Sequence, residues 1–467
     1  MLELGLILLF AFLGVMLGTL TGLVPGLHVN TIAILLLSAS PAMVGGLLFL
    51  SDHGIDRGFI VLLVCITIFA TSIAHTFLDF IPSTFLGVPE GETALSVLPA
   101  HSMVLEGKGY RAVVLSAVGS MGAVACAFLF MIPYRFILGN PVNGYVVLRE
   151  WIVPVLLGVV VLILVSETRK VPYRKVSGSG CGSCQDGSRE SNDTGDTLRE
   201  EGRFSRALGV GLAVFVFVTA GLFGLVIFRM EVSSPFGLPS AILFPALSGM
   251  FGLATLLVSL KDTPTLPPQD VEMEDIDGGP SARSVASGAV AGSAVGFLPG
   301  LSAGLATVIA MAFRKENDRE QVILTLSSIN TANAFFVMVA LFLILRPRSG
   351  AAIVVDQLID VEGWNTALPP QAMVYILIGG LFAAALAFVL TIRIGAYFAR
   401  VFDRVPYRKL LLMIICSVIA LVYIFTGFVG LGVLVVSTFI GLLPQALGVR
   451  RSHAMGILLL PVIVMLW

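Results

Sequence analysis

The sequence predicts an all-α polytopic membrane protein built as an inverted repeat, each half one re-entrant Pro-Gly helical hairpin plus about five transmembrane helices. Three observations carry this: the scarcity of charge, the length of the apolar runs, and a glycine–proline pattern that occurs twice. Of 467 residues, 57% are hydrophobic and 12% charged, where a soluble protein carries roughly 25% charge; the mean hydropathy is +0.98. Apolar runs near the roughly 20 residues that a helix needs to cross hydrocarbon fall at about 60–80, 112–133, 151–166, 207–229, 240–260, 322–345, 373–395, 410–427, 429–447 and 453–467. A membrane barrel would show short alternating segments instead. The protein is therefore expected in the cell membrane as a multi-pass chain.

The first apolar run is too long for a signal peptide and lacks its basic start, so it reads as part of the mature protein. Three of five cysteines (Cys65, Cys126, Cys416) lie in expected spans. Cys181 and Cys184 form a lone CxxC in polar sequence, without the second pair that a zinc site requires. No metal and no cofactor are expected, beyond sodium or protons as coupling ions. Neither P-loop nor HExxH is present, so hydrolytic chemistry has no support and the chain does not read as an enzyme.

Two polar segments divide the chain into a first-half hairpin with its membrane helices (1–166), a cytoplasmic polar linker (167–205), the last two helices of the first repeat (206–260), an acidic cytoplasmic linker (261–283) and the second repeat (284–467). Both linkers read as flexible and aqueous. The repeat itself appears at an offset of 274 residues: Gly14, Gly18, Gly22, Pro25, Gly26 and Leu27 match Gly288, Gly292, Gly296, Pro299, Gly300 and Leu301. Glycines spaced by four leave a smooth strip on which another backbone can pack, and the Pro-Gly that follows ends the helix. Each copy thus reads as helix, break, helix. With both copies returning to their own side, five spans separate them, and an odd number of crossings inverts the second relative to the first.

Charge agrees. With the 167–205 linker inside, only Arg57, Arg135, Arg149, Arg229, Arg346 and Arg348 of the 28 Lys and Arg fall outside, as the positive-inside rule requires. Both termini are then expected to face outward.

Broken backbone at membrane depth must be buried in protein or line a wet cavity, since unpaired N–H and C=O groups cost several kcal/mol in lipid. Pro25, Gly26, Pro299 and Gly300 therefore mark the interior, and the helices that start after them direct free N–H groups and partial positive charge toward the breaks. That suits an anion such as a carboxylate or phosphate; a helix-packing elbow without ligand is the competing reading. His28, Asn30 and Thr31 follow the first break and Ser302 the second, adding neutral donors, and His28 can carry a coupling proton. In the next helix of the first half, His75 and Asp79 stand four apart on one face, an ionisable pair that serves coupling or gating. Asn330, Thr331 and Asn333 offer uncharged polar groups in the second half, for the substrate or a sodium ion. Glu90 and Glu92, in a Pro/Gly-rich segment, suit a cation or an inner gate, or else lie in a solvated loop.

The stretches Gly22-Leu-Val-Pro-Gly-Leu-His28, Asp79-Phe-Ile-Pro-Ser-Thr-Phe-Leu-Gly-Val-Pro89, Leu98-Pro-Ala-His101 with Gly107-Lys-Gly-Tyr110, Gly296-Phe-Leu-Pro-Gly-Leu-Ser302, Ile329-Asn-Thr-Ala-Asn333 and Gly448-Val-Arg-Arg-Ser-His-Ala-Met-Gly456 together resemble the TctA-type permeases, the large membrane subunit of tripartite tricarboxylate transporters, and more closely their archaeal relatives. The resemblance covers most of the chain outside the linkers. It implies ion-coupled symport of citrate-like carboxylates with a small membrane subunit and an extracytoplasmic binding protein. The partners expected are thus a small organic anion, the lipid bilayer, those two subunits and a second copy of the chain, with no nucleic acid. Two other readings compete with a secondary-active transporter of di- or tricarboxylates: a translocase for a phosphate-bearing polyprenyl lipid, and a non-transporting membrane scaffold. The lipid reading calls for a lateral opening and interior arginines, and neither hairpin contains Arg or Lys.

Overall fold

The computed structural model describes residues 2–24, 29–86, 97–139, 141–165, 167, 194–237, 242–261, 267–272, 276–298, 303–314, 318–402 and 407–466. Pro25, Gly26, His28, Glu90, Glu92, Pro299, Gly300, Ser302, Cys181 and Cys184 lie outside the described residues, as does the side chain of Thr31. Among the described residues the regular elements are all helical. In chain order they are α1 (Leu2–Gly22), α2 (Val29–Leu47), α3 (Arg57–Leu78), α4 (Phe80–Leu86), α5 (Val97–Leu105), α6 (Gly109–Leu138), α7 (Gly144–Val165), α8 (Thr194–Ile227), α9 (Leu243–Leu247), α10 (Ala254–Lys261), α11 (Gly278–Val295), α12 (Ala303–Arg314), α13 (Arg319–Ile344), α14 (Gly350–Leu358), α15 (Gln371–Phe402), α16 (Tyr407–Ala446) and α17 (Gly456–Leu466). A π-helical turn at Ser248–Leu253 joins α9 to α10. Nine of the described helical stretches are long and apolar enough to cross a membrane.

The chain forms two compact units, Met1–Ile152 with Arg229–Phe439, and Val153–Phe228 with Ile440–Trp467. The first is organised around α3 and α13, where 78% of each apolar stretch is buried, against 33% for α1. Their polar side chains stay inside by bonding within the helix. Thr67 and Thr71 each donate to the carbonyl four residues back, at 3.0 and 2.8 Å, so a buried hydroxyl costs little. Asp56 caps α3 by accepting from the amides of Gly58 and Phe59, supplying partners for two of the orphan N–H groups of the first turn.

The glycine strips of α1 and α11 pack on α3 and α13 in the same register. A Cβ added at Gly18 would lie 2.5 Å from the Thr71 carbonyl oxygen, 2.7 Å from Ala74 Cβ and 3.0 Å from the His75 nitrogen. At Gly292 the same atoms belong to Ile329, Ala332 and Asn333, at 2.6, 2.8 and 3.1 Å. Gly14 meets Thr67 and Gly288 meets Thr325. The contacted residues on α13 follow their counterparts on α3 by a constant 258 positions (Thr67 and Thr325, Thr71 and Ile329, Ala74 and Ala332, His75 and Asn333). A shared glycine spacing alone does not fix which residues lie opposite; the packing is duplicated as a pair of helices.

Each half then lends its next long helix to the other. From the first half α6 packs against α11 and α13, and from the second α15 packs against α1 and α3. Gly119 of α6 seats on Leu324, and Gly379 of α15 seats on Ile66, again 258 positions apart. Ser116 and Ser327 share a hydrogen bond of 2.8 Å, and Ser328 donates to the Gly119 carbonyl at 2.9 Å. The halves are therefore interlocked, with polar contacts concentrated where the helices come closest.

In the second unit, α8 packs against α17 and against the 3-10 turn Arg451–Met455. Gly221 and Gly224 of α8 lie on Leu460 and Ile457, close enough that a side chain there would displace α17.

Several expectations change. The 261–283 linker is not wholly solvated: Gln269 donates to the carbonyls of Val104 and Pro267 at 2.9 and 2.8 Å and accepts from the Gly109 amide at 2.9 Å, while the Asp270 amide donates to the Gly107 carbonyl at 2.8 Å. Gly107 has φ 81°, a conformation glycine adopts without Cβ strain, and this shapes the turn that receives the linker. Helix α8 begins at Thr194, inside the 167–205 linker, and its apolar stretch begins at Ala207. The last apolar stretch, Arg451–Leu466, is a shorter helix that reaches about 24 Å, less than the roughly 30 Å hydrocarbon layer. The expected pair of spans at 410–427 and 429–447 appears as α16, broken at Gly427 with φ 61° and ψ −155°.

Candidate functional site

The duplicated helix pairs fix what stands beside each break. In the first copy, Gly22 rests 2.9 Å (as a built Cβ) from the His75 carbonyl and 3.2 Å from Leu78 Cβ, three residues before Pro25. Thr21 and His75 meet there, with His75 Nδ1 3.1 Å from Thr21 Oγ1. The Thr21 hydroxyl already has the carbonyls of Leu17 and Gly18 within reach at 3.1 and 3.3 Å. A hydroxyl has one proton, so the neutral imidazole is best satisfied when Nδ1 carries the hydrogen and donates to Thr21. His75 is 1% exposed and Asp79 7%. Asp79 closes α3, its amide donating to the His75 carbonyl at 2.9 Å and its carbonyl accepting from Ser83 Oγ at 2.7 Å. His75 thus lies against the last turn of α1, three residues before Pro25, and Asp79 follows it by four positions at the end of α3.

In the second copy, Val295 at the end of α11 and Ala303 and Ala306 at the start of α12 cluster with Ile329 of α13. The end of α11 and the start of α12 are consequently both held against Ile329, which directly precedes Asn330, Thr331 and Asn333. All three side-chain oxygens (Asn330 Oδ1, Thr331 Oγ1, Asn333 Oδ1) are buried without a hydrogen bond among the described residues. Leaving a buried polar atom unpaired costs about 1–3 kcal/mol, and three on one helix turn are a specific departure from the usual satisfaction of interiors. Oxygen acceptors without donors are what a hard cation coordinates, or what a ligand bearing hydroxyl or acid protons can fill. Since His75 and Asn333 are register equivalents, the site is chemically lopsided. The first break has titratable neighbours and the second has neutral oxygens.

Asn30 is placed differently. Its Oδ1 accepts from the Gly350 amide at 2.9 Å, and a Cβ at Gly350 would lie 2.9 Å from Asn30 Cα, so the start of α2 abuts the start of α14.

Sequence reasoning passed over several polar residues. Thr21 partners His75. His101 binds the Thr84 carbonyl through Nδ1 at 3.1 Å and ties α5 to α4; burial pushes its pKa below the usual value, opposed by that bond. Arg111 and Glu320 form a two-point ion pair at 2.6 and 3.1 Å that links the starts of α6 and α13. In the second unit Glu167 Oε2 lies 2.8 Å from His453 Nε2 and accepts from the Arg450 amide at 2.9 Å, with both side chains fully buried. The available signal for His453 was its place in the closing Gly448–Gly456 motif.

Comparison with known proteins places this architecture. A relative from Methanocaldococcus jannaschii, described only as an uncharacterized protein, is 27% identical over 460 residues, covering 98% of each chain. No solved structure matches the chain. The model of the tripartite tricarboxylate transporter TctA family matches residues 8–456, nearly the full length and both glycine-strip helix pairs. On that match, this multi-pass membrane protein belongs to the tripartite tricarboxylate transporter TctA family.

Proposed function

We propose that the chain is the carrier of a secondary-active transport system for small organic anions of the di- or tricarboxylate class, with the anion held between the two helix breaks. The observation that supports this reading is the duplicated packing that sets His75 against α1 and its register equivalent Asn333 against α11, with the oxygens of Asn330, Thr331 and Asn333 buried without a hydrogen bond among the described residues. Helices that begin at the breaks present N–H groups to the carboxylates. The oxygens on α13 hold a sodium ion that accompanies the anion and offsets its charge, and the His75–Asp79 pair is the place for a coupling proton. Repeats of opposite orientation would let one site face either side in turn. A small membrane subunit and an extracytoplasmic binding protein complete the system.

The polyprenyl-phosphate reading retains one supporting observation, an apolar cavity beside Leu23, but no residue of α13 and none of its unpaired oxygens lines it. Thermal unfolding of the purified protein with di- and tricarboxylates, phosphate and polyprenyl phosphate, each with and without sodium, separates the readings. A ligand at a hundred times its dissociation constant adds about 2.7 kcal/mol. A sodium-dependent gain with one carboxylate, lost in Asn330→Ala and Asn333→Ala, is the expected result. Stabilisation by the lipid phosphate alone would contradict it.

A further inference from the structure

A cavity in the first unit lies away from α13. It holds about 400 Å³ and is walled by Leu23, Pro82, Leu86, Phe398, Phe402 and Ile414, with Tyr397, Val401, Met413 and Ser417 at its remaining sides. That is the size of small-molecule pockets, roughly 300–1,000 Å³, yet its lining offers almost no polar group to orient a soluble ligand. Phe85 stacks behind it, 5.0 Å from the Phe402 ring, so the inner wall is rigid and aromatic. Tyr397 and Met413 are 65% and 62% exposed, so the cavity opens onto the outer face of α15 and α16, where a membrane protein meets lipid.

The rim is basic. Arg393 and Arg400, one turn before and one turn after Tyr397, are exposed on α15; Lys409, one turn before Met413, and the adjoining Arg408 are exposed on α16. Residues four apart on a helix are neighbours. None of these four cations has a carboxylate partner among the described residues. From 393 to 409 the sequence holds five basic residues (Arg393, Arg400, Arg404, Arg408, Lys409) and one acid, Asp403. An apolar slot that opens to the bilayer beneath an unneutralised basic rim is complementary to one kind of molecule, an amphiphile with a hydrocarbon chain and an anionic head.

We propose that this cavity is a binding site for an anionic membrane lipid, with one acyl chain in the slot and the headgroup against Arg393, Arg400 and Lys409. The site is separate from the proposed anion site, and its test does not depend on transport.

The test is lipid retention by the full-length protein in native mass spectrometry, with dioleoyl-phosphatidylglycerol and dioleoyl-phosphatidylcholine as probes. Phosphatidylglycerol is expected to bind more tightly, and Arg400→Gln and Lys409→Gln are each expected to weaken it about fivefold, the effect of one basic residue near an anionic headgroup, leaving phosphatidylcholine unchanged. Ser417→Phe fills the slot and is expected to lower retention of both lipids; Val401→Phe does the same from the opposite helix and serves if the first variant fails to fold. Equal binding of the two lipids, or full phosphatidylglycerol retention in a folded slot-filling variant, would overturn the proposal.

Discussion

Gly292→Ala is the sharpest perturbation of the duplicated packing. The new methyl would lie 2.6 Å from the Ile329 carbonyl oxygen, 2.8 Å from Ala332 Cβ and 3.1 Å from the Asn333 nitrogen. Two of those three atoms are backbone and the third is a Cβ, so no flexible side chain can move aside. Non-bonded carbon contacts settle near 3.5–4.0 Å, so α11 and α13 must separate by roughly 1 Å to accept it. Overpacking of this kind costs about 1–3 kcal/mol, while the gain in helix propensity from glycine to alanine is at most about 1 kcal/mol. The same separation shifts Asn330 and Asn333 relative to the second break. Thermal unfolding in detergent measures the stability loss, with Gly45→Ala as control, because a Cβ at Gly45 meets nothing within 4 Å. Gly292→Ala should fall below wild type and Gly45→Ala should not. If the two variants unfold alike, the close approach of α11 to α13 is wrong and the duplicated register with it.

Gly18→Ala should behave as Gly292→Ala does, through Thr71 and His75, and its loss of stability is read in the same unfolding experiment. Asn333→Ala removes a buried oxygen that has no hydrogen bond among the described residues, so without ligand it should leave stability within about 1 kcal/mol of wild type while abolishing the ligand-induced shift; a large loss in the ligand-free protein would show that the oxygen is structurally paired. Burial keeps the folded pKa of His101 below the ordinary 6.5, so between those values the unfolded chain binds a proton that the folded chain does not. The His101 contribution is whole above about pH 6.5 and is lost as pH falls through that window, and unfolding midpoints measured across it should vary less in His101→Asn. Glu167→Ala leaves His453 and the Arg450 amide without their shared acceptor and should cost about 3–5 kcal/mol, whereas Glu167→Leu combined with His453→Leu should recover much of it in chemical unfolding.

What the sequence made legible was periodic. Gly14, Gly18 and Gly22 recur as Gly288, Gly292 and Gly296 because close helix packing constrains every fourth residue on one helix. The surfaces that receive those strips carry no comparable signature. Thr67 and Ala74 align with the identical Thr325 and Ala332, but Thr71 and His75 align with Ile329 and Asn333, since a contact made largely through backbone atoms tolerates many side chains. His75 and Asp79 were conspicuous because ionisable groups are expensive in a membrane interior. Asn30 looked like a ligand residue from its place after the break, and its bond to Gly350, 320 residues away, belongs to tertiary structure that no local pattern reports. The acidic linker misled for the same reason. Its composition is that of solvated chain, yet Gln269 alone satisfies three backbone groups around Gly107–Gly109, and one well-placed amide is invisible in a compositional average.

The central claim is that one carboxylate is held between the two breaks, and site-directed alkylation tests it most directly. In a background with the five native cysteines replaced, Leu27→Cys and Leu301→Cys place one thiol at the corresponding position of each break. Maleimide labelling is then followed with and without citrate in sodium buffer. The account predicts that citrate slows labelling at both positions, and that Asn330→Ala removes the protection. Equal labelling rates with and without citrate at both positions, or protection by polyprenyl phosphate alone, would contradict it.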